Sequence, residues 1–408
     1  MRKLIAFLIL AFCLPLVATS QNSNKQESSD EFNIKKLPVL ALPILGWNNY
    51  DKTMLGAAIF NFSDKSDFSF ALAPAYAFGS KSIVGMSNMF YPVYPESNLI
   101  DKISFSLQTK SYNYNYRFDL DEHERYYKIQ PKIKLNFTQR SDTSYTFHSL
   151  QFRYVYVNQK YQAFNVENGT YEDARRSYYV NELKYEMENK RFSDLHWEVT
   201  LQQGKGFTKL FTHFNQLIPY GVGEKGVNLH LFAGNFFTSK REDIEIPAQF
   251  LMSGTTGFDF FQKDYLFDDV MLGRNDRTGI FSKQIFERDA NLKTLSNIAS
   301  TTRWMVGGGL KFAIPGKIPI KPYIDVSIWS RESFNEISTE VAYSGGFALI
   351  VFPDLFEIYF PVPFLESDNI KNGSVYQNLP GFFQRMTFSL KLQKIDPFKY
   401  LDRLRRRN

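Results

Sequence analysis

Short segments in which apolar and polar residues alternate with a period of two recur along most of this chain. In "KISFSLQTK", which begins at Lys102, the apolar residues Ile103, Phe105 and Leu107 alternate with polar ones. The same alternation occurs in "KIKLNFT" from Lys132, in "GVNLHLF" from Gly226 and in "KPYIDVSIW" from Lys321. Successive side chains of a β-strand point to opposite sides, so the pattern predicts strands with one apolar and one polar face.

The polar face of these segments carries Lys, Arg, Asn, Gln and Ser, strand after strand. This is the pattern of a transmembrane barrel, in which lipid-facing and inward-facing residues alternate over segments of about ten residues. No internal run of 18 apolar residues exists, and a closed barrel is the other way to satisfy backbone groups in lipid. We therefore predict an all-β fold, a transmembrane antiparallel up-and-down β-barrel. A large secreted β-sandwich or propeller is the alternative, although no blade-length repeat is present.

The composition agrees with strands that have one face in contact with water and one apolar face. The chain has 40 Phe, 24 Tyr and 4 Trp among 408 residues, yet its mean hydropathy is only −0.31. The net charge is +6, and the basic residues are spread along the chain except in the terminal "RLRRRN". Nucleic-acid binding usually needs a concentrated basic patch, so we expect no nucleic-acid partner.

The turn residues that separate the alternating segments give a strand count. The predicted spans are 38–48, 51–62, 67–78, 81–92, 100–112, 125–138, 145–158, 174–187, 193–204, 207–218, 226–237, 299–313, 318–331, 339–352, 355–362 and 382–393. This is about sixteen strands, an even number as single-chain bacterial barrels have, and twelve or fourteen remain open. With sixteen, the long connection 238–298 lies on the outer side and both termini lie in the periplasm. The last segment, "RMTFSLKL", is expected to turn Met386, Phe388, Leu390 and Leu392 toward lipid.

The ends of the chain predict export. Residues 1–20 have the charged start, apolar core and small final residues of a cleaved signal peptide. Cys13 is the only cysteine, so the mature chain is expected to have neither disulfides nor a thiolate metal site. A lipoprotein anchored through Cys13 is the rival interpretation, although the bulky Phe12 precedes it. Residues 21–37 are expected to form a flexible periplasmic leader, 38–393 the outer-membrane barrel, and 394–408 a basic periplasmic tail.

The C-terminal quarter resembles the last five strands of the bacterial surface-antigen superfamily, the outer-membrane assembly and secretion barrels. The residues that carry the resemblance are "LKFAIPG" leading to "PYIDVSIW", then "FPDLFEIYFPVPF" and the closing "RMTFSL". Two earlier segments, "GWNNYDKTMLGAAIFN" and "FALAPAYAFGSKSIVG", are similar to the barrel half of exported aminopeptidase-like chains. The resemblance implies sixteen strands and a long sixth extracellular loop folded against the inner wall.

The resemblance also implies where that loop is fixed. In the family, an Arg of the loop sits against acids on the inner wall of strands twelve and thirteen. Here the loop has "MLGRNDRTG" instead of the family's Val-Arg-Gly-aromatic motif, and Arg274 is the candidate for a lock with Asp325 on strand thirteen. The acid on strand twelve corresponds to Lys311, a reversal of charge. Ordinary solvated charges at both positions are the alternative to a lock.

No catalytic or metal motif is found. The chain has no H-E-x-x-H and no G-x-S-x-G, and its five His residues lack metal-ligand spacing. We therefore expect no enzyme activity, no cofactor and no catalytic residues. Family translocators carry repeated periplasmic domains, and none fits between Ser20 and Leu37. The expected function is that of an outer-membrane barrel assisting protein insertion, secretion or surface export with a separate periplasmic or surface partner. A passive channel for small solutes and an exported soluble binding protein are the alternatives.

Overall fold

The computed structural model describes fourteen stretches of the chain. They are residues 39–61, 68–139, 145–190, 194–220, 225–239, 248–255, 264–276, 278–286, 289–296, 300–316, 318–333, 336–353, 355–371 and 381–392. The signal peptide, the leader and the basic tail expected from the sequence all lie outside these stretches.

Sixteen strands are hydrogen-bonded in chain order, so each strand pairs with its neighbours in the sequence. They are β1 (Val39–Asn48), β2 (Lys52–Asn61), β3 (Ser69–Ala77), β4 (Ser82–Val93), β5 (Ile100–Arg117), β6 (Glu122–Phe137), β7 (Thr146–Asn165), β8 (Thr170–Asn189), β9 (Leu195–Gly204), β10 (Phe207–Pro219), β11 (Gly226–Ser239), β12 (Trp304–Phe312), β13 (Ile320–Ser333), β14 (Glu336–Phe352), β15 (Phe356–Pro361) and β16 (Thr387–Leu390). This order confirms the predicted fold class, an all-β up-and-down barrel sheet with sixteen antiparallel strands.

Contacts divide the chain into two compact units. The first contains residues 1–135 and 155–177, and the second contains residues 136–154 and 178–408. In the first unit, β1 and β2 form a hairpin whose turn is fixed by a fully buried acid, Asp51. The Asp51 carboxylate accepts hydrogen bonds from Asn48, Ser80 and Asn113 at 2.6–2.9 Å. A buried carboxylate is costly unless it is hydrogen-bonded, so these three donors make the turn a defined structure.

Burial along the strands is the reverse of that in a water-soluble protein. In β13 of the second unit, Ile324 and Val326 are 47% and 42% exposed, whereas Asp325 and Ser327 between them are 1% and 0% exposed. In β5 of the first unit, Leu107 is likewise exposed while Lys110 is buried. We call the exposed side the apolar face and the other side the polar face. An exposed apolar face backed by a covered polar face is the arrangement that lipid requires of a barrel wall.

The last strand differs from its prediction in length and in exposure. The predicted segment 382–393 contains only four residues of strand, because Phe382–Arg385 forms a 3₁₀ turn before Thr387–Leu390. Phe388 lies opposite Ile358 of β15, which places it on the apolar face as expected. Its side chain is nevertheless only 7% exposed, and its ring contacts that of Phe356 with 6.2 Å between the centroids.

Helices contribute little to the described residues. Among the described residues the one α-helix is the four-residue segment Asp368–Lys371, and no described helix is long and apolar enough to cross a membrane.

Candidate functional site

The longest connection of the sheet, between β11 and β12, folds back onto the polar face of the second unit. We call its described residues (248–255, 264–276, 278–286, 289–296 and 300–303) the docked loop. Two short pairings give it internal structure: Phe250–Leu251 pairs with Ser300–Thr301, and Gly254–Thr255 pairs with Ile285–Phe286. The connection, predicted at 238–298, follows the end of β11 at Ser239 and precedes the start of β12 at Trp304.

A buried ion pair joins the docked loop to β13. Lys293 Nζ donates a hydrogen bond of 2.9 Å to Oδ1 of Asp325, and the two side chains are 5% and 1% exposed. Removing one partner would leave an uncompensated buried charge, which is strongly unfavourable. The pair therefore fixes this part of the loop to the wall of the sheet.

Arg274, the loop residue predicted to be the partner of Asp325, lies elsewhere. Its guanidinium group binds the carboxylate of Asp264 at 3.2 Å and donates to the carbonyls of Asp264 and Asp269. It also lies over the ring of Phe267, 4.4 Å from the centroid. Arg274 thus closes a turn within the loop, and the predicted Arg274–Asp325 pair is corrected to Lys293–Asp325.

The physical reason for the correction is local. The carboxylate of Asp264 already accepts the backbone N–H groups of Asp268 and Asp269, which makes a compact turn with a fixed negative charge. Arg274 follows closely in the chain and satisfies that charge, because a planar guanidinium can bind a carboxylate and nearby carbonyls at once. Lys293 is the one charged residue between Ala290 and Ala299, and this isolation was the sequence signal for its role.

The same part of the loop holds the last strand. The Thr387 hydroxyl of β16 donates to the carbonyl of Lys293 at 2.7 Å. Thr294 donates to Glu366 at 2.9 Å, and Glu366 in turn binds Arg385 at 3.3 Å. Loop residues 293 and 294 therefore contact β13, the β15–β16 connection and β16 itself.

A second set of contacts fixes the loop to β7, β8 and β9. Arg153 binds Glu182 at 2.6 Å and Asp268 of the loop at 2.9 Å. Tyr265 of the loop accepts a hydrogen bond of 2.6 Å on its carbonyl from Tyr178, and its hydroxyl contacts Gln202. The loop is thus attached at both of its halves, through separate polar groups.

Aromatic packing covers the polar face of β10 and β11. Phe250 of the loop is fully buried against Phe232 and Phe236, with centroid distances of 5.4 and 4.9 Å. Lys209 Nζ lies 4.9 Å from the Phe250 ring and donates to the Ala248 carbonyl at 2.8 Å. A cation held over aromatic faces and bonded to a carbonyl is well stabilised despite its burial.

Glycines of β12 make room for the docked loop. A Cβ atom on Gly307 would lie 2.4 Å from the Cβ of Ala290, and one on Gly309 would lie 2.0 Å from the carboxylate of Asp325. The "GGG" of the sequence therefore has a steric reason, since side chains at these positions would displace the loop and the buried acid.

Lys311, the position at which the charge is reversed relative to the family pattern, is neutralised on the polar face. Its Nζ lies 2.6 Å from Oε2 of Glu357 on β15, and the hydroxyl of Tyr359 donates to the same oxygen at 2.7 Å. The reversed charge on β12 thus has a matching acid three strands further along the sheet.

The polar and charged groups of the site attach the docked loop to the strands. In the described part of the chain, no group of three or more His, Cys, Asp or Glu side chains is arranged to hold a metal ion. Lys283, beside the loop segment that reaches β16, has a lowered pKa because burial disfavours its charged form. Elsewhere in the loop, Asp264 pairs with Arg274, Asp268 with Arg153 of β7, and Lys293 with Asp325 of β13.

The strand order and the reversed burial define a protein of the transmembrane β-barrel class. No protein-family model and no curated protein matches the sequence. Among solved structures, the chain is similar to BamA from Haemophilus ducreyi lacking POTRA domains 1–3, with 10% identity and a TM-score of 0.45 over 82% of this chain and 68% of that one. It is also similar to CdiB from Acinetobacter baumannii, with 12% identity and a TM-score of 0.38 over 82% of this chain and 57% of that one. Because both TM-scores are below 0.5, the assignment rests on the strand order and burial of this protein itself.

Proposed function

We propose that this protein is a non-enzymatic outer-membrane barrel of surface-antigen type, exported by a cleaved signal peptide, that handles polypeptide clients beside its last strand. A separate periplasmic or surface protein would act with it. Outer-membrane lipid would contact the apolar face.

The observation that carries the proposal is the weak pairing of the last strand. Within the described residues, β15 and β16 are paired over four residues, from Phe356 opposite Leu390 to Tyr359 opposite Thr387. By contrast, β13 and β14 are paired over fourteen residues, from Ile320 to Ser333. A short ladder has few hydrogen bonds to break, so this is the edge of the sheet at which opening costs least.

A passive channel for small solutes is the alternative, and the docked loop argues against it. The loop is anchored on the polar face by the buried Lys293–Asp325 pair and by the contacts of Tyr265 and Asp268. A barrel of sixteen strands conducts through its polar interior unless a loop fills that space. A loop with buried anchors on this face is an obstacle to steady conductance.

The test of the proposal combines two measurements on the same preparation. Tagged protein is purified from outer membranes in mild detergent, and the proteins that co-purify are identified and quantified by mass spectrometry. It is then placed in planar bilayers for single-channel recording. The proposal predicts a stoichiometric periplasmic or surface partner and no steady conductance. Stable open channels without any partner would support the passive channel instead.

A further inference from the structure

Arg125 continues the apolar face of β6 toward the β5–β6 turn. Tyr127, Ile129 and Ile133 on this face are 47%, 47% and 41% exposed, and alternate residues of a strand share a face. Arg125 is therefore the next residue of the same row, at the end where the apolar face stops. The predicted topology places this end on the outer side of the membrane. A charged side chain at the rim of an apolar wall lies at the level of the lipid headgroups.

Three contacts fix the guanidinium group of Arg125 across the neighbouring strands. Its Nε donates a hydrogen bond of 2.8 Å to the hydroxyl of Ser111 on β5, and its Nη2 donates to the carbonyl of Ile83 on β4. Its Cζ lies 4.9 Å from the ring centroid of Tyr127. The guanidinium is thus oriented before any ligand binds, and this preorganisation lowers the entropy that is lost on binding.

Arg125 has no counter-ion in the described part of the chain. No described carboxylate contacts it, and its Nη1 group has no described acceptor. The acids of the adjacent β5–β6 turn are engaged elsewhere. Asp119 binds Arg117 at 2.7 Å, and Asp121 accepts a hydrogen bond from the hydroxyl of Tyr116. A fixed guanidinium with available N–H groups is complementary to a phosphate or carboxylate from outside the chain.

Two lysines add positive charge at the same end of the first unit. Lys52 follows the β1–β2 turn and Lys81 lies in the β3–β4 turn, two residues before Ile83. Both lysines are exposed, and neither contacts a carboxylate among the described residues. The acid of these turns, Asp51, is fully buried and accepts from Ser80 at 2.7 Å. The charge presented outward at this rim is therefore positive.

The position of this basic rim indicates what binds there. The rim is continuous with the apolar face, whose occupant in a membrane barrel is lipid. A lipid molecule can place its acyl chains against Ile129 and Ile133 and its headgroup beside Arg125. The positive charge of the rim favours a headgroup that carries phosphate, because a guanidinium binds phosphate oxygens through two parallel hydrogen bonds.

We propose that Arg125 binds the phosphate group of an outer-leaflet lipid, with Lys52 and Lys81 adding positive charge to the site. Ser111 and the carbonyl of Ile83 are positioning groups that hold the guanidinium toward the lipid. This inference rests on the lipid contact given in the proposed function. It adds the class of headgroup and the residue that binds it.

Lipid retention by the purified full-length protein tests the site. The protein is titrated in detergent micelles with lipid A that carries both phosphates, and bound lipid is counted by native mass spectrometry. The same titration is made with lipid A from which the phosphates have been removed. The variants are Arg125→Gln, Arg125→Lys and Ser111→Ala. The matched control is Lys160→Gln, which removes a cation of the first unit whose partner, Asp173, lies 2.8 Å away in the chain itself.

We expect Arg125→Gln to need about tenfold more phosphorylated lipid for half-saturation than the wild type, as loss of a charge-assisted hydrogen bond predicts. Arg125→Lys should lie between the two, because an ammonium group lacks the planar fork of the guanidinium. Ser111→Ala should weaken retention less than Arg125→Gln, and Lys160→Gln should match the wild type. The lipid without phosphates should bind more weakly and equally to every form.

Three results would overturn the site. They are equal half-saturation of the wild type and Arg125→Gln, equal retention of the two lipids by the wild type, and displacement of the lipid by equimolar inorganic phosphate, which would indicate a site for a free anion. Heat-dependent electrophoretic mobility verifies that each variant is folded. If Arg125→Gln does not fold, unchanged retention in both Arg125→Lys and Ser111→Ala overturns the site instead.

Failure of the lipid site is distinguishable from failure of the proposed function. If the unmodified protein co-purifies a stoichiometric partner and does not conduct, but Arg125→Gln retains lipid as the wild type does, the site is wrong while the proposed function stands. If the unmodified protein has no partner and conducts steadily in bilayers, the proposed function is wrong whatever the lipid titration gives.

Discussion

Nζ of Lys293 lies 2.9 Å from Oδ1 of Asp325, and both side chains are almost fully buried between the docked loop and β13. A loop residue and a strand residue separated by 32 positions in the chain are thus joined at the polar face. The pair links the longest connection of the sheet to its wall, and through the carbonyl of Lys293 it reaches Thr387 in the last strand.

Removing one member of this pair should lower the free energy of unfolding far more than replacing both members with apolar residues. Lys293→Met leaves Asp325 buried without its cation, and we expect the free energy of unfolding to fall by about 3–5 kcal/mol. Lys293→Met combined with Asp325→Leu removes both charges and should recover most of the loss. Urea-dependent unfolding in lipid vesicles measures the four corners of this double-mutant cycle. A control is Lys160→Ala, whose partner Asp173 is 60% exposed and which should change stability by less than about 1 kcal/mol.

The corrected role of Arg274 makes a separate prediction. Arg274→Ala removes the closure of the 264–274 turn but leaves Lys293 and Asp325 in contact, so its effect should stay within that turn. Hydrogen–deuterium exchange should quicken in residues 264–276 and remain unchanged in β13 and β16. Lys293→Met should give the opposite distribution. Faster exchange in β16 after Arg274→Ala would contradict this and show that Arg274 also fixes the loop to the wall of the sheet.

The sheet was predictable from the sequence because its signal is local. An alternation of period two indicates which residues share a face, and the sixteen predicted spans correspond to the sixteen strands of the sheet. The pairing of specific side chains across long distances in the chain was not predictable. Asp325 was identified on the polar face, but its partner depended on the turn at Asp264 that takes Arg274 away.

The last strand is a second case in which the sequence pattern predicted only part of the structure. The alternation from Met386 to Leu392 correctly placed Phe388 on the apolar face. Strand length and exposure were not contained in that pattern, because they depend on the 3₁₀ turn at Phe382–Arg385 and on the loop residue Gln284, which forms a parallel β-bridge with Phe388. Periodicity describes the direction of side chains, and it carries no information about what lies against an edge.

The glycine of β12 beneath the loop should not tolerate even a methyl group. In Gly307→Ala the new Cβ would lie 2.4 Å from the Cβ and 2.6 Å from the Cα of Ala290, so the loop backbone must move. We expect faster cleavage of the loop by an externally added protease and a loss of about 1–3 kcal/mol of stability, as is typical of overpacking. Gly46→Ala is the control, because its Cβ would meet only the flexible end of Met54 at 3.1 Å. Equal cleavage rates for both variants would contradict close docking at Gly307.

Position 311 should not tolerate the acidic residue that the family pattern has there. Lys311→Glu would place a second carboxylate beside Glu357, which now shares its Oε2 with Lys311 and Tyr359. Two like charges at this distance repel, so we expect a lower unfolding midpoint than that of the wild type. The double variant Lys311→Glu with Glu357→Lys exchanges the charges and should recover much of the midpoint. No recovery would show that the pair is not the reason for the lysine.

The central claim is that the apolar face contacts lipid. Its most direct test compares the amount of membrane-assembled protein for two variants, each with arginine at one of two adjacent β5 residues. Leu107 is 37% exposed on the apolar face, and Gln108 lies on the polar face. A basic side chain on a lipid-facing position near mid-depth costs about 2–4 kcal/mol. We predict that Leu107→Arg lacks the folded, heat-modifiable form in outer-membrane fractions, whereas Gln108→Arg retains it. Equal assembly of the two variants would contradict the barrel in lipid.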